Sequence, residues 1–206
     1  LIKMSWEEST KAKMLHLKLP TDPRWVGVAE MQIEDILTDH AYCEQKAASS
    51  CISLILRFND LDQIVDTLTP IVAEEWGHFE RVMEQIRKRG LKFGFPRKDE
   101  YVVALKKFVK TGGNRMQQLT EQLLLNALIE ARSCERFKLL STHIQDEELK
   151  KFYHELMVSE AGHYVTFIEL ARTFQNVDLV NSRWQEWLNF EASILKEIGN
   201  RADRMH

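Results

Sequence analysis

Apolar and small residues recur every three or four positions along most of this chain, and strand-like alternation is scarce. That period is the signature of helices with one buried face. The segment "LPTDPRW" (19–25) reads as a turn, with Thr21 or Asp22 as N-cap and Pro23 in the first helical turn. From Ala29 to Phe58, Ile33, Leu37, Ala41, Ala48, Cys51 and Ile55 predict one long helix. "FNDLD" (58–62) breaks it, and Asn59 or Asp60 is a natural cap for the next helix, which runs to Arg89. Pro70 inside that helix predicts a kink, or a stop and restart. Residues 90–115 form a long connection with a short helix over 101–109. A third long helix covers 116–142, and a fourth, capped by Asp146, runs to Phe174. A fifth covers 183–200, with Trp184, Trp187, Leu188, Glu191, Leu195 and Ile198 in register and its tryptophans packing a core. The expected fold is all-α: a four-helix bundle of two antiparallel helical hairpins with a long crossover, plus flanking helices.

Composition narrows the picture. With 206 residues, 44% of them hydrophobic, the chain can bury one good core, so a single domain over 1–206 is expected. Cys43, Cys51 and Cys134 make no CxxC pair and no zinc spacing, which fits reduced thiols in a cytoplasmic protein. No apolar run approaches the roughly 20 residues of a membrane span, and the opening "LIKMSWEEST" lacks the apolar stretch of a signal peptide.

The candidate chemistry lies in a repeated motif. "EEWGHFE" (74–80) and "SEAGHYV" (159–165) both carry Glu-x-Gly-His on segments that read as helix. Residues three apart share a helix face, so Glu75 with His78, and Glu160 with His163, can each present a carboxylate and an imidazole to one metal. One such pair is weak; a bundle with two needs carboxylates from the other two helices. On antiparallel helices, ligands at one level are equidistant from the turn. Glu75 lies about 15 residues after the Asn59–Asp60 turn, and Glu44 lies the same distance before it. Glu160 lies 15 after position 145, and Glu130 lies 15 before it. At 1.5 Å per residue both levels are about 22 Å from their turns. Glu135 is the rival to Glu130, because Cys134-Glu135 echoes Cys43-Glu44. Glu130, however, shares a face with Leu123, Ala127, Cys134 and Phe137, whereas the Glu135 face carries Arg132, Lys138 and Thr142. Glu135 is therefore read as a residue behind the ligands or in a salt bridge. His40, one turn before Glu44, is a candidate hydrogen-bond partner for it or a core histidine; His16, His143, His154 and His206 read as surface residues. Four carboxylates balance two divalent cations, and a mixed oxygen and nitrogen set suits iron or manganese better than structural zinc.

Charge adds a partner. Residues 87–115 carry Arg87, Lys88, Arg89, Lys92, Arg97, Lys98, Lys106, Lys107, Lys110 and Arg115 against Asp99 and Glu100. Ten against two leaves +8, so with −3 overall the rest of the chain carries −11. Phe93, Phe95, Tyr101 and Phe108 are interleaved with these cations. Cations neutralise phosphates and aromatic rings stack on splayed bases, so an RNA or other polyanion is the expected partner of the crossover.

The six ligands match the ferritin-like di-iron carboxylate pattern. The longer segments "EDILTDHAYCEQKAASS", "AEEWGHFERV", "LLLNALIEARSCERFKLL" and "SEAGHYVTF" resemble the bacterial tRNA hydroxylase family called MiaE, over nearly the whole chain. The resemblance implies O2-dependent hydroxylation of 2-methylthio-N6-isopentenyladenosine, the modified purine beside the anticodon of tRNA, at an allylic methyl group. It implies two iron ions held by Glu44, Glu75, His78, Glu130, Glu160 and His163, with O2 as co-substrate. No flavin, nicotinamide or iron–sulfur motif is visible, so an external reductase or ferredoxin-like electron donor is expected. A ferritin-like peroxidase or iron oxidase, or a bundle that only stores iron, is the rival reading. Neither calls for a basic surface, and no cage-forming oligomer is expected.

Overall fold

Seven α-helices and no strand occur among the described residues, which are 16–198 and Met205 of a computed structural model. They are α1 Trp25–Met31, α2 Ile33–Arg57, α3 Asp62–Lys88, α4 Glu100–Lys106, α5 Arg115–His143, α6 Glu147–Phe174 and α7 Val177–Ile198. His206 and the expected last turn at 199–200 lie outside the described residues. The tight turns after α2 and after α5 make α2–α3 and α5–α6 antiparallel hairpins. The crossover carrying α4 joins them, and α1 and α7 flank the bundle.

The helices depart from expectation in several places. Residues 25–57 form two helices, broken at Gln32, whose φ of −125° leaves the helical region. The break lets α1 turn Trp25, Val26 and Ala29 inward, where the Arg136 guanidinium lies 4.8 Å from the Trp25 ring. Neither Asn59 nor Asp60 caps α3; Leu61 is its N-cap, and Asp60 pairs with Arg115, whose Nη1 donates to its Oδ2 at 2.6 Å. α3 runs without a restart through Pro70, which is exposed. α7 begins at Val177 rather than 183, because Asn176 Oδ1 accepts from Asp178 N at 2.9 Å and Leu179 N at 3.2 Å. Such an Asn cap supplies an acceptor to otherwise unpaired helix N–H groups. Asp146 caps α6 as expected, accepting from Leu149 N. Asn114 and Gln117 close a capping box on α5.

Two apolar clusters occupy the bundle, one on each side of a polar layer. The first includes Cys51, Leu54, Ile71, Leu123, Ala127, Phe167 and Trp187. The second includes Leu37, Ala41, Val82, Phe137, Tyr153 and Met157. Each long helix crosses from one cluster to the other, and the residues at the crossing are polar: Glu44 on α2, Glu75 and His78 on α3, Glu130 on α5, Glu160 and His163 on α6. Burying a Leu or Phe side chain contributes about 1.5–3 kcal/mol. Several dozen buried apolar residues therefore give the fold room to tolerate six costly groups in the middle.

Candidate metal centre

All six side chains of the polar layer are buried. They form two donor sets: Glu44, Glu75, His78 and Glu160, then Glu75, Glu130, Glu160 and His163. Within each set the donor atoms lie within 4.8 Å of one another. Glu75 and Glu160 belong to both, so they sit where they can bridge two cations. His78 Nδ1 is 3.5 Å from Glu44 Oε2 and 3.4 Å from Glu160 Oε1. His163 Nδ1 is 2.7 Å from Glu75 Oε1. Both rings thus turn Nδ1 toward the carboxylates. Both oxygens of Glu75 and of Glu160, and both Nδ1 atoms, are buried and make no well-aligned hydrogen bond, the 2.7 Å approach of His163 Nδ1 to Glu75 Oε1 included. Orphaned buried polar groups are rare in folded proteins and need an explanation. A cation on these lone pairs supplies one, so the residues present fit a metal site.

The electrostatics say the same. Burial, then the Glu160 charge, pushes Glu75 up to about 7. Burial, with the charges of Glu160 and Glu75, pushes Glu130 well above the usual carboxylate range, and burial also raises Glu44. Burial works against Glu160 too, but its Glu130, His163 and His78 neighbours outweigh it and hold Glu160 well below its ordinary value. Burial disfavours the charged imidazoles, yet the surrounding carboxylates raise His78 to about 12 and His163 to about 11. Without metal the cluster stores protons; with metal those positions are taken by cations.

Around the donors, His40 Nε2 lies 2.6 Å from Glu44 Oε1, and the His40 ring packs on Phe137 and Tyr153. Glu135 points elsewhere. It accepts from Thr21 N at 2.7 Å and Thr21 Oγ1 at 2.8 Å and pairs with Arg132, so Thr21 is tied to α5 rather than capping α1. Arg132 is fully buried and also donates through Nε to Glu191 Oε1 at 2.8 Å, clipping α7 to the bundle. One partner was not foreseen in the sequence: Glu74 Oε2 lies 2.9 Å from His163 Nε2, on the ring edge away from the donors. A carboxylate behind a ligating imidazole fixes its tautomer and orientation. Its only sequence signal is adjacency to Glu75. Of the other histidines, His16, His143 and His154 are exposed, as expected.

The ten crossover cations divide evenly. Lys88 pairs with Glu148, Arg89 with Asp146, Arg97 with Asp35, Lys110 with Glu186 and Arg115 with Asp60. Arg87, Lys92, Lys98, Lys106 and Lys107 are exposed, and none of their side-chain cations pairs with an acidic side chain among the described residues. The aromatic residues divide too. Tyr101 is buried and donates to Glu191 Oε1 at 3.2 Å; Phe108 stacks on Phe190 at 4.1 Å under the Arg183 guanidinium. These two are core packing and not a stacking platform, a correction to the sequence expectation. Phe93 and Phe95 are exposed, the latter 91%. Tyr42 holds this stretch to α2, stacking on Phe93 at 4.8 Å and donating to Gly94 O at 3.0 Å. Beside it, between α2, α4 and α5, a cleft of about 400 Å3 reaches the donor Glu130.

A family model described as tRNA-(MS2IO6A)-hydroxylase (MiaE) matches residues 8–206. A Pseudomonas putida protein named tRNA 2-(methylsulfanyl)-N(6)-isopentenyladenosine(37) hydroxylase is 37% identical over 158 residues, 77% of this chain and 76% of its own length. A Salmonella typhimurium protein of the same name is 25% identical over 243 residues, 94% of this chain and 88% of its own. A solved structure of "Protein 43 with aldehyde deformylating oxygenase activity from Synechococcus" is 31% identical and superimposes with a TM-score of 0.86, covering 92% of this chain and 94% of that one.

Proposed function

The chain belongs to the MiaE family of tRNA hydroxylases, and on that premise we propose which of its residues carry out the reaction. It is an oxidoreductase that hydroxylates the isopentenyl group of 2-methylthio-N6-isopentenyladenosine in tRNA. The observation that carries the reading is the pair of donor sets sharing Glu75 and Glu160. Glu44 and His78 would hold one iron ion and Glu130 and His163 the other, with Glu75 and Glu160 available to both. The irons, when bound, supply the redox chemistry that activates O2. The balance is one C–H bond converted to C–O–H, with the second oxygen atom leaving as water. The two electrons required come from an external donor protein.

The chain's own part is to hold, orient and shield. Glu74 orients His163 from behind, and His40 braces Glu44. The apolar clusters above and below the layer exclude bulk water, which protects a reactive centre from side reactions. Arg87, Lys92, Lys98, Lys106 and Lys107, with Phe93 and Phe95, form the tRNA-facing surface; the five paired cations serve mainly to fasten the crossover. A tRNA substrate supports work in the cytoplasm; separately, no described helix is long and apolar enough to cross a membrane.

The likeness to the Synechococcus protein favours an aldehyde as the second candidate substrate. Ser49, Ser50, Gln122 and Asn126 line the cleft beside Glu130 and suit a nucleoside better than an alkyl chain. The test is incubation of iron-loaded protein with hypomodified tRNA, reductant and O2, followed by mass spectrometry of the nucleosides. The expected product is the prenylated adenosine heavier by one oxygen. Turnover of an aldehyde with no change in the tRNA would replace this reading by the second.

A further inference from the structure

We infer that the cleft between α2 and α5 is the pocket for the prenylated adenine, and that Asn126 reads the edge of the base. The inference rests on the hydroxylase reading and adds the place and the specificity residue. The cleft's far wall includes Glu130, one of the proposed ligands, so a group inserted here arrives beside the metals. Its volume of about 400 Å3 is of the order of a modified nucleoside.

The lining is graded in polarity along α5. Ile129 of α5, with Cys43 and Ala47 of α2, makes the part next to Glu130 apolar. One turn away stand Asn126 and Ser50. Four residues of helix separate Glu130 from Asn126, a rise of about 6 Å. From N6 of the adenine to the terminal methyl carbon of the prenyl group is four bonds, roughly 5 Å. A methyl group placed at the level of Glu130 therefore brings the adenine edge to the level of Asn126. Lys106, exposed and without an acidic partner among the described residues, lies in the lining, where a backbone phosphate would meet it.

The polar pair is set for adenine. Ser50 Oγ donates to Asn126 Oδ1 at 3.0 Å, which fixes the amide orientation of a side chain only 6% exposed. Oδ1 keeps a second lone pair for the remaining N6–H of the substrate, and the amide N–H groups face a ring-nitrogen acceptor. An amide side chain that accepts from N6–H and donates to the neighbouring ring nitrogen matches adenine and opposes guanine.

The test uses anticodon stem-loop RNA with either the prenylated or the unmodified adenosine. Affinity for metal-free protein is measured at fixed salt, beside turnover by the iron-loaded protein. Wild type is expected to prefer the prenylated RNA. Asn126→Leu, close in volume, should bind it about tenfold more weakly, the scale of one hydrogen bond, with metal content unchanged. Ala47→Phe, at a half-buried position, should fill the apolar part and abolish the preference for the prenyl group. If wild type turns over the RNA and both variants bind as wild type does, the pocket assignment is overturned and the function stands. If wild type shows neither turnover nor preference, the function fails and the pocket with it.

Discussion

Replacing Glu130 by leucine should cost the metal-loaded protein far more stability than the metal-free one. In the metal-free protein, Glu130 is a buried carboxyl among three others, held protonated by burial and by its neighbours' charges. Leucine removes the cost of burying that carboxyl but also the hydrogen bond it gives Glu160, two effects of opposite sign. Each is worth about 1–3 kcal/mol, so the metal-free Tm should move by no more than a few degrees. The metal-loaded protein should lose the ion bound by Glu75, Glu130, Glu160 and His163. At free metal a hundredfold above Kd, one ion contributes about 2.7 kcal/mol, so Tm should fall by roughly 5–10 °C. Calorimetry with and without iron, together with elemental analysis, reads both effects. The control is Glu135→Leu, which removes the acceptor of Thr21 and one partner of the buried Arg132. It should destabilise both forms alike and leave two ions bound. A Glu130→Leu protein that keeps two ions, or a Glu135→Leu protein that loses one, would refute the assignment.

Three further outcomes follow from the same geometry. The Tm gap between metal-loaded and metal-free protein should widen from about pH 5.5 to about pH 8. Glu75 has its folded pKa raised from 4.5 to about 7, so its proton favours the metal-free fold at low pH and that contribution is lost as pH rises through about 7. Over that window the difference is worth about 2 kcal/mol, and a gap independent of pH would contradict it. Gly77→Ala and Gly162→Ala should each keep their metal and raise Tm by a few degrees, because a Cβ at either site meets nothing within 4 Å and alanine gains about 1 kcal/mol over glycine inside a helix; loss of iron would show otherwise. The tRNA affinity should fall steeply with salt. Lys92→Ala combined with Lys98→Ala should flatten the slope by about two log units per log unit of salt, one for each phosphate no longer neutralised. A slope unchanged by both substitutions would remove the crossover from the interface.

The six donor positions were legible because an antiparallel hairpin turns sequence distance from the turn into height along the bundle. Glu44 and Glu75 flank one turn symmetrically, as do Glu130 and Glu160, and the structure brings all four together. What escaped the sequence depends on packing between distant segments. Tyr101 and Phe108 sit among lysines, where a base-stacking platform would be sought, yet both face α7, and only the packing of Trp187, Phe190 and Glu191 decides it. Five crossover cations find acidic partners on other elements, which no local pattern shows. Gly77 and Gly162 do not make room for a neighbouring helix, since both have open space beside them. They leave the outer faces of α3 and α6 bare next to His78 and His163. The break at Gln32 was likewise invisible, since the apolar period continues across it while the chain bends to bury Trp25.

With iron held by the two donor sets, the protein should place an oxygen atom from O2 on the prenyl group of tRNA. Turnover of hypomodified tRNA by the iron-loaded protein under isotopically labelled O2 tests this. Wild type should yield a hydroxylated nucleoside carrying one labelled oxygen, and Glu75→Ala, which removes a donor common to both sets, should yield none. A product whose oxygen comes from water, or labelled product formed equally by the Glu75→Ala protein, would contradict it.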